Sequence, residues 1–239
     1  MRGEQMKRFW DDRARENALF FVDNELLYEN PDEEVFWAKG KQAVDLIVDR
    51  VGRDLEPGDR VVEIGCGVGR LTRELAGRAA HVDALDVSER MLDLARAYNP
   101  GLANVRWLRG DGESLRPIAD AGADVCFSHL VFQHIPDPAI TLGYVREMGR
   151  VLAEGGWAAF QISNQPEIHV RRGLRERVGT AFRARLGRGP QGQAHPAWRG
   201  SAVDLDQLRE TASAAGMSVE RIAGEGEQLC FVLLSRGPR

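Results

Sequence analysis

Between positions 60 and 162 two periodicities alternate along the chain. Apolar runs of strand length occupy 60–64, 81–85, 105–108, 123–128 and 157–162. Most of the segments between them repeat apolar residues every three or four positions, the spacing of one helix face. Such a face runs through Val68, Leu71, Leu75 and Ala76, predicting a helix over about 68–77. Ser88 is placed to cap the next helix, with Glu89 in its first turn. Asp137 followed by Pro138 opens another, with Thr141, Val145, Met148 and Leu152 on one face. The crossover at 109–122 has no helical period, and its structure is left open. This alternation of strand and helix predicts a mostly parallel sheet covered by helices on both faces.

The two ends read differently. Residues 33–51 predict a helix with Val44, Ile47, Val48 and Val51 together, and 7–30 are dense in charge and aromatic rings. We therefore expect a helical cap over 1–54 ahead of a second unit at 55–239. Asp204 and Gln207 form a candidate capping box for a helix ending near Gly216. Runs at 218–222 and 228–234, separated by Gly-Glu-Gly-Glu, predict a terminal hairpin. Residues 164–200 lack apolar periodicity and are rich in arginine, a length that suggests a lid or a surface insertion.

Composition narrows the class. The chain has 239 residues, 43% of them hydrophobic, so a sizeable core is expected. A formal charge of -4 does not favour nucleic acid, the arginines at 171, 172, 175 and 177 being a local exception. No apolar run is long enough for a membrane span, and the first residues lack the apolar core of a secretory signal. Cys66, Cys126 and Cys230 sit in separate strand-like runs with neither metal spacing nor an even count. A reducing cytoplasm is the expected home, and no metal site is expected.

The chemistry starts at V-V-E-I-G-C-G-V-G, positions 61–69. A strand ending in alternate glycines before a helix is a turn where backbone approaches a bound molecule. Asp86 ends the next apolar run, where a carboxylate can accept both hydroxyls of a ribose. Together they predict a nucleoside cofactor. The dinucleotide fingerprint is not matched: Gly65, Gly67 and Gly69 are evenly spaced, and Arg70 stands where its last glycine would be. A phosphate loop is absent as well.

The chain resembles the class I S-adenosylmethionine-dependent methyltransferases, small-molecule type. The resemblance rests on E-I-G-C-G-V-G-R-L-T at 63–72, L-D-V-S at 85–88, G-D-G at 110–112, D-V-C-F-S-H-L-V-F-Q-H-I at 124–135 and R-V-L-A-E-G-G at 150–156. It covers about 55–235 and implies a seven-stranded Rossmann-like sheet with an antiparallel last strand. It also implies S-adenosylmethionine as cofactor, S-adenosylhomocysteine as product and a small-molecule methyl acceptor.

The resemblance assigns Gly65, Cys66, Gly67 and Gly69 to the turn beneath the methionine moiety, with Glu63 orienting that turn and the ammonium. Asp86 would hold the ribose. Val87, Met91, Gly110, Asp111 and Gly112 would surround the adenine, Asp111 accepting from its amino group. Ser128, His129 and Leu130 follow strand four, near the reactive methyl. His129 is the candidate general base, its ordinary pKa suiting proton removal at neutral pH, with a pocket-wall role as the alternative. Trp10, Phe20, Phe36, Trp37, His134, His195 and Trp198 are candidate acceptor contacts, and Asp11, Arg13, Arg15 and Asn17 candidate polar groups of the cover. The reaction would be direct in-line transfer to oxygen, nitrogen or carbon. Two other readings remain open: a non-catalytic cofactor-binding regulator, and an RNA or protein methyltransferase. Oligomeric state is not legible.

Overall fold

Adjacent residues of each central strand serve opposite layers, and this organises the molecule. The computed structural model describes residues 3–169 and 195–237. Val61 and Val125 point into one core with Val44, Ile47, Leu75 and Leu92; Val62 and Cys126 point into the other with Val145, Met148, Leu208 and Ala212. Burial of each large side chain in these layers stabilises the fold by about 1.5–3 kcal/mol.

The described elements are α1 (Gly3–Val22), α2 (Glu33–Val51), β1 (Arg60–Ile64), α3 (Thr72–Arg78), β2 (His81–Asp86), α4 (Glu89–Tyr98), β3 (Val105–Arg109), β4 (Ala123–Ser128), α5 (Pro138–Val151), β5 (Leu152–Ile162), α6 (Pro196–Arg199), α7 (Leu205–Ala214), β6 (Met217–Ala223) and β7 (Cys230–Arg236). The seven strands lie in the order β3-β2-β1-β4-β5-β7-β6. β7 is antiparallel to both its neighbours and the other strands run parallel. This is the expected Rossmann-like methyltransferase sheet, with α2, α3 and α4 on one face and α5 and α7 on the other. The terminal hairpin is present as β6 and β7.

The helix caps follow the sequence. Ser88 accepts from the Met91 N–H, Asp137 from Ala139, and Asp204 from Gln207. Residues 110–122 contain no helix. One expected boundary is corrected. The helix after the glycine turn starts at Thr72 rather than near 68. Gly67 and Gly69 hold φ of 55° and 88°, a left-handed backbone that cannot belong to a right-handed helix.

α1 is broken at Asn17, whose backbone is extended (φ -166°, ψ 90°). The Asn17 amide bridges the break: its oxygen accepts from the Phe20 N–H, and its nitrogen donates to the Tyr28 carbonyl. Two further ties hold α1 across the carboxyl ends of the strands. The Gly3 N–H donates to Glu113, and the Ser88 hydroxyl donates to Asp11 at 2.6 Å.

After β5 the chain leaves the sheet at Ser163 and rejoins beside it, the Val203 N–H donating to the Ser163 carbonyl at 2.8 Å. The arginines at 171, 172, 175 and 177 lie outside the described residues.

Candidate active site

Strand order reverses between β1 and β4, since β1 leads outward to β2 and β3 while β4 leads to β5. A parallel sheet opens a crevice at such a point, beyond the carboxyl ends of its strands. A cavity of about 570 Å³ occupies it here. β1 delivers Glu63 through Gly67 to the floor, β2 delivers Asp86 and Val87, and β4 delivers His129, Leu130 and Val131. α1 closes the top, with Met6, Trp10, Phe21 and Val22 on the cavity wall.

The glycines of the turn do different work. A Cβ on Gly65 would stand 2.3 Å from Val131, and one on Gly67 would stand 2.9 Å from Val22, both cavity-wall side chains. Gly69 faces away from the cavity; its Cβ would meet Asn99 and the Trp107 ring at 2.8 Å. The third glycine therefore permits packing of the turn on α4 and β3 and does not line the cavity.

Asp86 is half-buried at the end of β2. Its Oδ2 accepts from the Gly67 N–H at 2.9 Å and its Oδ1 from the Ser88 N–H at 2.8 Å. Removal from water raises its carboxyl to about 6, against the opposing pull of those two N–H groups. Glu63 is buried, and loss of water raises its carboxyl to about 7; the Thr72 hydroxyl donates to it and pulls the other way. Cys66 lines the turn, and burial pushes its thiol well above the usual range.

Val87, Met91, Gly110 and Gly112 also line the cavity. A Cβ on Gly112 would lie 3.1 Å from both Val87 and Met6, so glycine keeps a narrow slot open there. Asp111 lies outside this wall. Its carboxylate accepts from the Glu113 N–H, the Ser114 N–H and the Ser114 hydroxyl, closing its own loop. Ser128 is fully buried, its hydroxyl donating to the Ile64 carbonyl, and it too lies behind the wall.

His129 lines the cavity, stacked near Phe231 at 6.1 Å, and its Nδ1 is buried with no hydrogen-bond partner among the described residues. Burial lowers its pKa to about 3. The ring is neutral at ordinary pH but weakly basic, whereas an efficient base titrates near the working pH. That shift favours the wall role over the general-base role for His129.

Among the expected acceptor contacts, Trp10, His134 and Trp198 meet on the wall, with ring centroids 5.3 to 6.4 Å apart. The His134 Nδ1 lies 2.8 Å from the Trp198 carbonyl, which can only accept, so this nitrogen carries the proton. Burial lowers the His134 pKa to about 4. Phe20, Phe36, Trp37 and His195 are not on the wall. Phe20 packs on Phe21 and Tyr28, and Phe36 is fully buried beneath the turn in a cluster with Val68. Trp37 lies under the Arg73 guanidinium at 3.6 Å, and His195 stacks on Phe9 at 4.4 Å. Their rings serve the packing of α1, α2 and the Pro196 turn.

Several residues at the site escaped the sequence reading. Lys39, Gln42, Arg70, Gln133 and Gln228 line the cavity. Gln161 stands just behind it, fully buried. Its oxygen accepts from the Leu130 N–H at 3.1 Å, and its nitrogen donates to the Gln228 carbonyl at 2.8 Å. Leu130 has φ of 59°, a strained conformation for a bulky residue that this contact helps to hold. A glutamine inside the apolar run W-A-A-F-Q-I was the available signal.

Residues 62–160 match the family described as a methyltransferase domain. That match takes in about two fifths of the chain. The biotin biosynthesis bifunctional protein BioHC of Cellvibrio japonicus is 38% identical over 124 residues, 51% of this chain and 22% of that protein. The malonyl-(acyl-carrier protein) O-methyltransferase of Serratia marcescens is 38% identical over 104 residues, 44% of this chain and 38% of that one. These matches span less than half the length of either relative. Among solved structures, the geranyl diphosphate C-methyltransferase of Streptomyces coelicolor superposes with a TM-score of 0.64 at 13% identity, covering 98% of this chain and 97% of that one. At that identity the likeness is one of fold. No described helix of the chain is long and apolar enough to cross a membrane.

Proposed function

We propose that this chain transfers the methyl group of S-adenosylmethionine to a small-molecule acceptor. The observation that carries the reading is Asp86. It stands at the end of β2 on the cavity wall, aimed by the Gly67 and Ser88 N–H groups, where a ribose diol would meet a charged acceptor. The glycine turn leaves backbone accessible beside it, and the slot between Val87 and Gly112 suits a flat base. The cavity's residues thus fit the cofactor, which supplies an electrophilic methyl when bound.

The remaining work falls to the chain. α1 excludes water from above, and Trp10, His134 and Trp198 orient the acceptor. Holding two reacting groups in line supplies much of the rate in such displacements. A neutral, weakly basic His129 favours an acceptor atom that carries no proton to be removed, such as an ionised oxygen. Oxygen is also the atom named for the Serratia marcescens relative.

Parallel calorimetric titrations with S-adenosylmethionine, S-adenosylhomocysteine and NADH test the reading. Binding of the first two alone is expected, followed by label transfer from methyl-labelled cofactor to an acceptor. Binding of NADH instead would overturn it.

Cofactor affinity should depend on pH through Asp86. Hydroxyl donors require the ionised carboxylate, so affinity should be flat above about pH 7 and fall by about tenfold per unit below pH 6. Binding then releases protons near pH 6, visible as a buffer-dependent heat. The same raised pKa gives folding a contribution that is complete below the ordinary carboxylate range and lost as pH rises through about 6. A binding constant unchanged between pH 5 and 7 would remove Asp86 from the contact.

His129→Ala is expected to retain turnover within roughly tenfold of the parent, because losing a true general base costs about 10²–10⁴-fold. A single-turnover measurement showing the larger loss would restore the base role.

A further inference from the structure

His129 and His134 both border the cavity, and their ring nitrogens are disposed differently. The His134 ring has none to spare. Its Nδ1–H donates to the Trp198 carbonyl at 2.8 Å, and its Nε2 accepts from the Gln133 amide nitrogen at 3.3 Å. His129 is the opposite case. Its Nδ1 is sealed from water with no partner among the described residues, while its Nε2 is accessible and equally unpartnered. A buried N–H without an acceptor is a rarer and costlier orphan than a bare lone pair. The proton therefore sits on Nε2, and the ring presents an uncharged N–H donor to the cavity.

The surroundings of that donor are uncharged or already paired. Trp10, Phe21 and Trp198 supply aromatic rings, and the indole N–H groups of Trp10 and Trp198 have no partner among the described residues. The cations on the described wall, Lys39 and Arg70, both turn to Asp23 at 3.4 Å. The carboxylates of the wall are engaged as well: Glu63 with the Thr72 hydroxyl, Asp86 with the Gly67 and Ser88 N–H groups, and Glu25 with Lys39 at 2.6 Å. Among the described residues, this end of the cavity donates hydrogen bonds to an acceptor and holds no free group to take a proton from one.

We propose that the acceptor is a carboxylate, held by the Nε2–H of His129 on an uncharged aromatic wall, and that the product is its methyl ester. This rests on the functional reading above and names its substrate class. A carboxylic acid is already ionised at neutral pH, whereas a phenol or an ammonium must first lose a proton. A lone pair of one carboxylate oxygen forms the new O–CH3 bond; the S–CH3 bond breaks, and its electron pair stays on sulfur. No proton moves. The negative acceptor and the positive sulfonium both become neutral, so surroundings that solvate charge poorly lower the barrier. A cation bonded to the carboxylate would hold its charge back, whereas a neutral N–H fixes the second oxygen at smaller cost. Burial, which depresses the His129 pKa to about 3, keeps that donor neutral.

Protein saturated with S-adenosylhomocysteine is titrated calorimetrically with phenylacetate and with phenylacetamide, which has the same ring and nearly the same shape without the charge. Binding of phenylacetate tighter by roughly tenfold or more is expected. Equal binding, or no binding of phenylacetate, overturns the proposal. Turnover is then followed with methyl-labelled S-adenosylmethionine and 4-hydroxyphenylacetate, which offers a carboxylate and a phenol on one ring. The expected label is an ester, released as volatile methanol by mild alkali; alkali-stable ether label, or no label, overturns it. His129→Phe keeps a flat ring and removes the donor. Its KM for phenylacetate should rise by roughly tenfold with a smaller change in kcat, because the lost bond is strongest to the charged ground state. His129→Asn restores an N–H and should recover most of the loss. An unchanged KM in His129→Phe overturns the assignment to His129, and S-adenosylhomocysteine binding by each variant shows that it is folded. Wild type that binds no S-adenosylhomocysteine overturns the functional reading itself, a result distinct from a bound cofactor with no preference for carboxylate.

Discussion

Asp86→Ala should weaken binding of S-adenosylmethionine by roughly 10²–10⁴-fold, the loss of two hydrogen bonds to a charged acceptor. The estimate is additive, and a second effect pushes the same way. The carboxylate also receives the Gly67 and Ser88 N–H groups, so its removal loosens the glycine turn and the start of α4 together. Asp86→Asn separates the contributions. Its amide oxygen can keep one N–H partner and its shape preserves the packing, but the charge is gone. We expect Asn to lose most of the affinity while melting close to the parent, and Ala to lose affinity and stability together. Calorimetric affinities within threefold of wild type for both variants would place the ribose elsewhere.

Gly200→Ala should damage the acceptor wall more than any change to a ring on it. Gly200 has φ of 60° and ψ of -149°, a backbone region essentially reserved for glycine. An added Cβ would stand 1.6 Å from the Gln133 carbonyl oxygen and 2.8 Å from the His134 Cα, both backbone atoms that cannot swing aside. The segments 131–137 and 195–203 must then part. Their clasp consists of the His134 contact with the Trp198 carbonyl and the bond from the Ser201 hydroxyl to the Ile135 carbonyl. Roughly 2–4 kcal/mol of stability should be lost, from strain and displaced packing. In the surviving folded protein the acceptor KM should rise while cofactor affinity changes little. Gly216→Ala is the comparison: its φ is 75° but nothing lies within 4 Å of the added atom. Only the left-handed penalty of about 1–2 kcal/mol applies there. Equal denaturation midpoints for the two variants would show that the clasp is compliant.

The proposed cofactor side was far more legible in the sequence than the proposed acceptor side. A strand, a glycine turn and an acid at the next strand end are local features, and their spacing alone brings them to one rim of a parallel sheet. The strands at Arg60–Ile64 and Ala123–Ser128 have the expected bounds for the same reason: short apolar runs leave little room for another register. The start of α3 was misread because glycine permits a left-handed backbone without announcing it. Which aromatic rings reach the cavity depends on the break at Asn17 and on the packing of α2, both tertiary. Phe20 and Phe21 are neighbours in sequence, yet only Phe21 lies on the wall. Asp111 was expected to accept from the adenine, whereas its carboxylate accepts from the Glu113 and Ser114 N–H groups of its own loop. Arg70 stood out in the sequence only as a departure from a fingerprint; its shortage of partners is visible only once Asp23 is brought beside it from 47 positions away.

The chain returns at Val203 to the point it left at Ser163, which pins the two ends of the intervening stretch together. Its two anchor points sit one hydrogen bond apart, so the sheet does not register how many residues pass between them. Doubling the length of such an excursion costs only about 0.6 kcal/mol in closure entropy. A change of length inside 164–194 should therefore leave the sheet and the glycine turn untouched, whereas a change at Trp198, Gly200 or Ser201 reaches the segment at 131–137 directly.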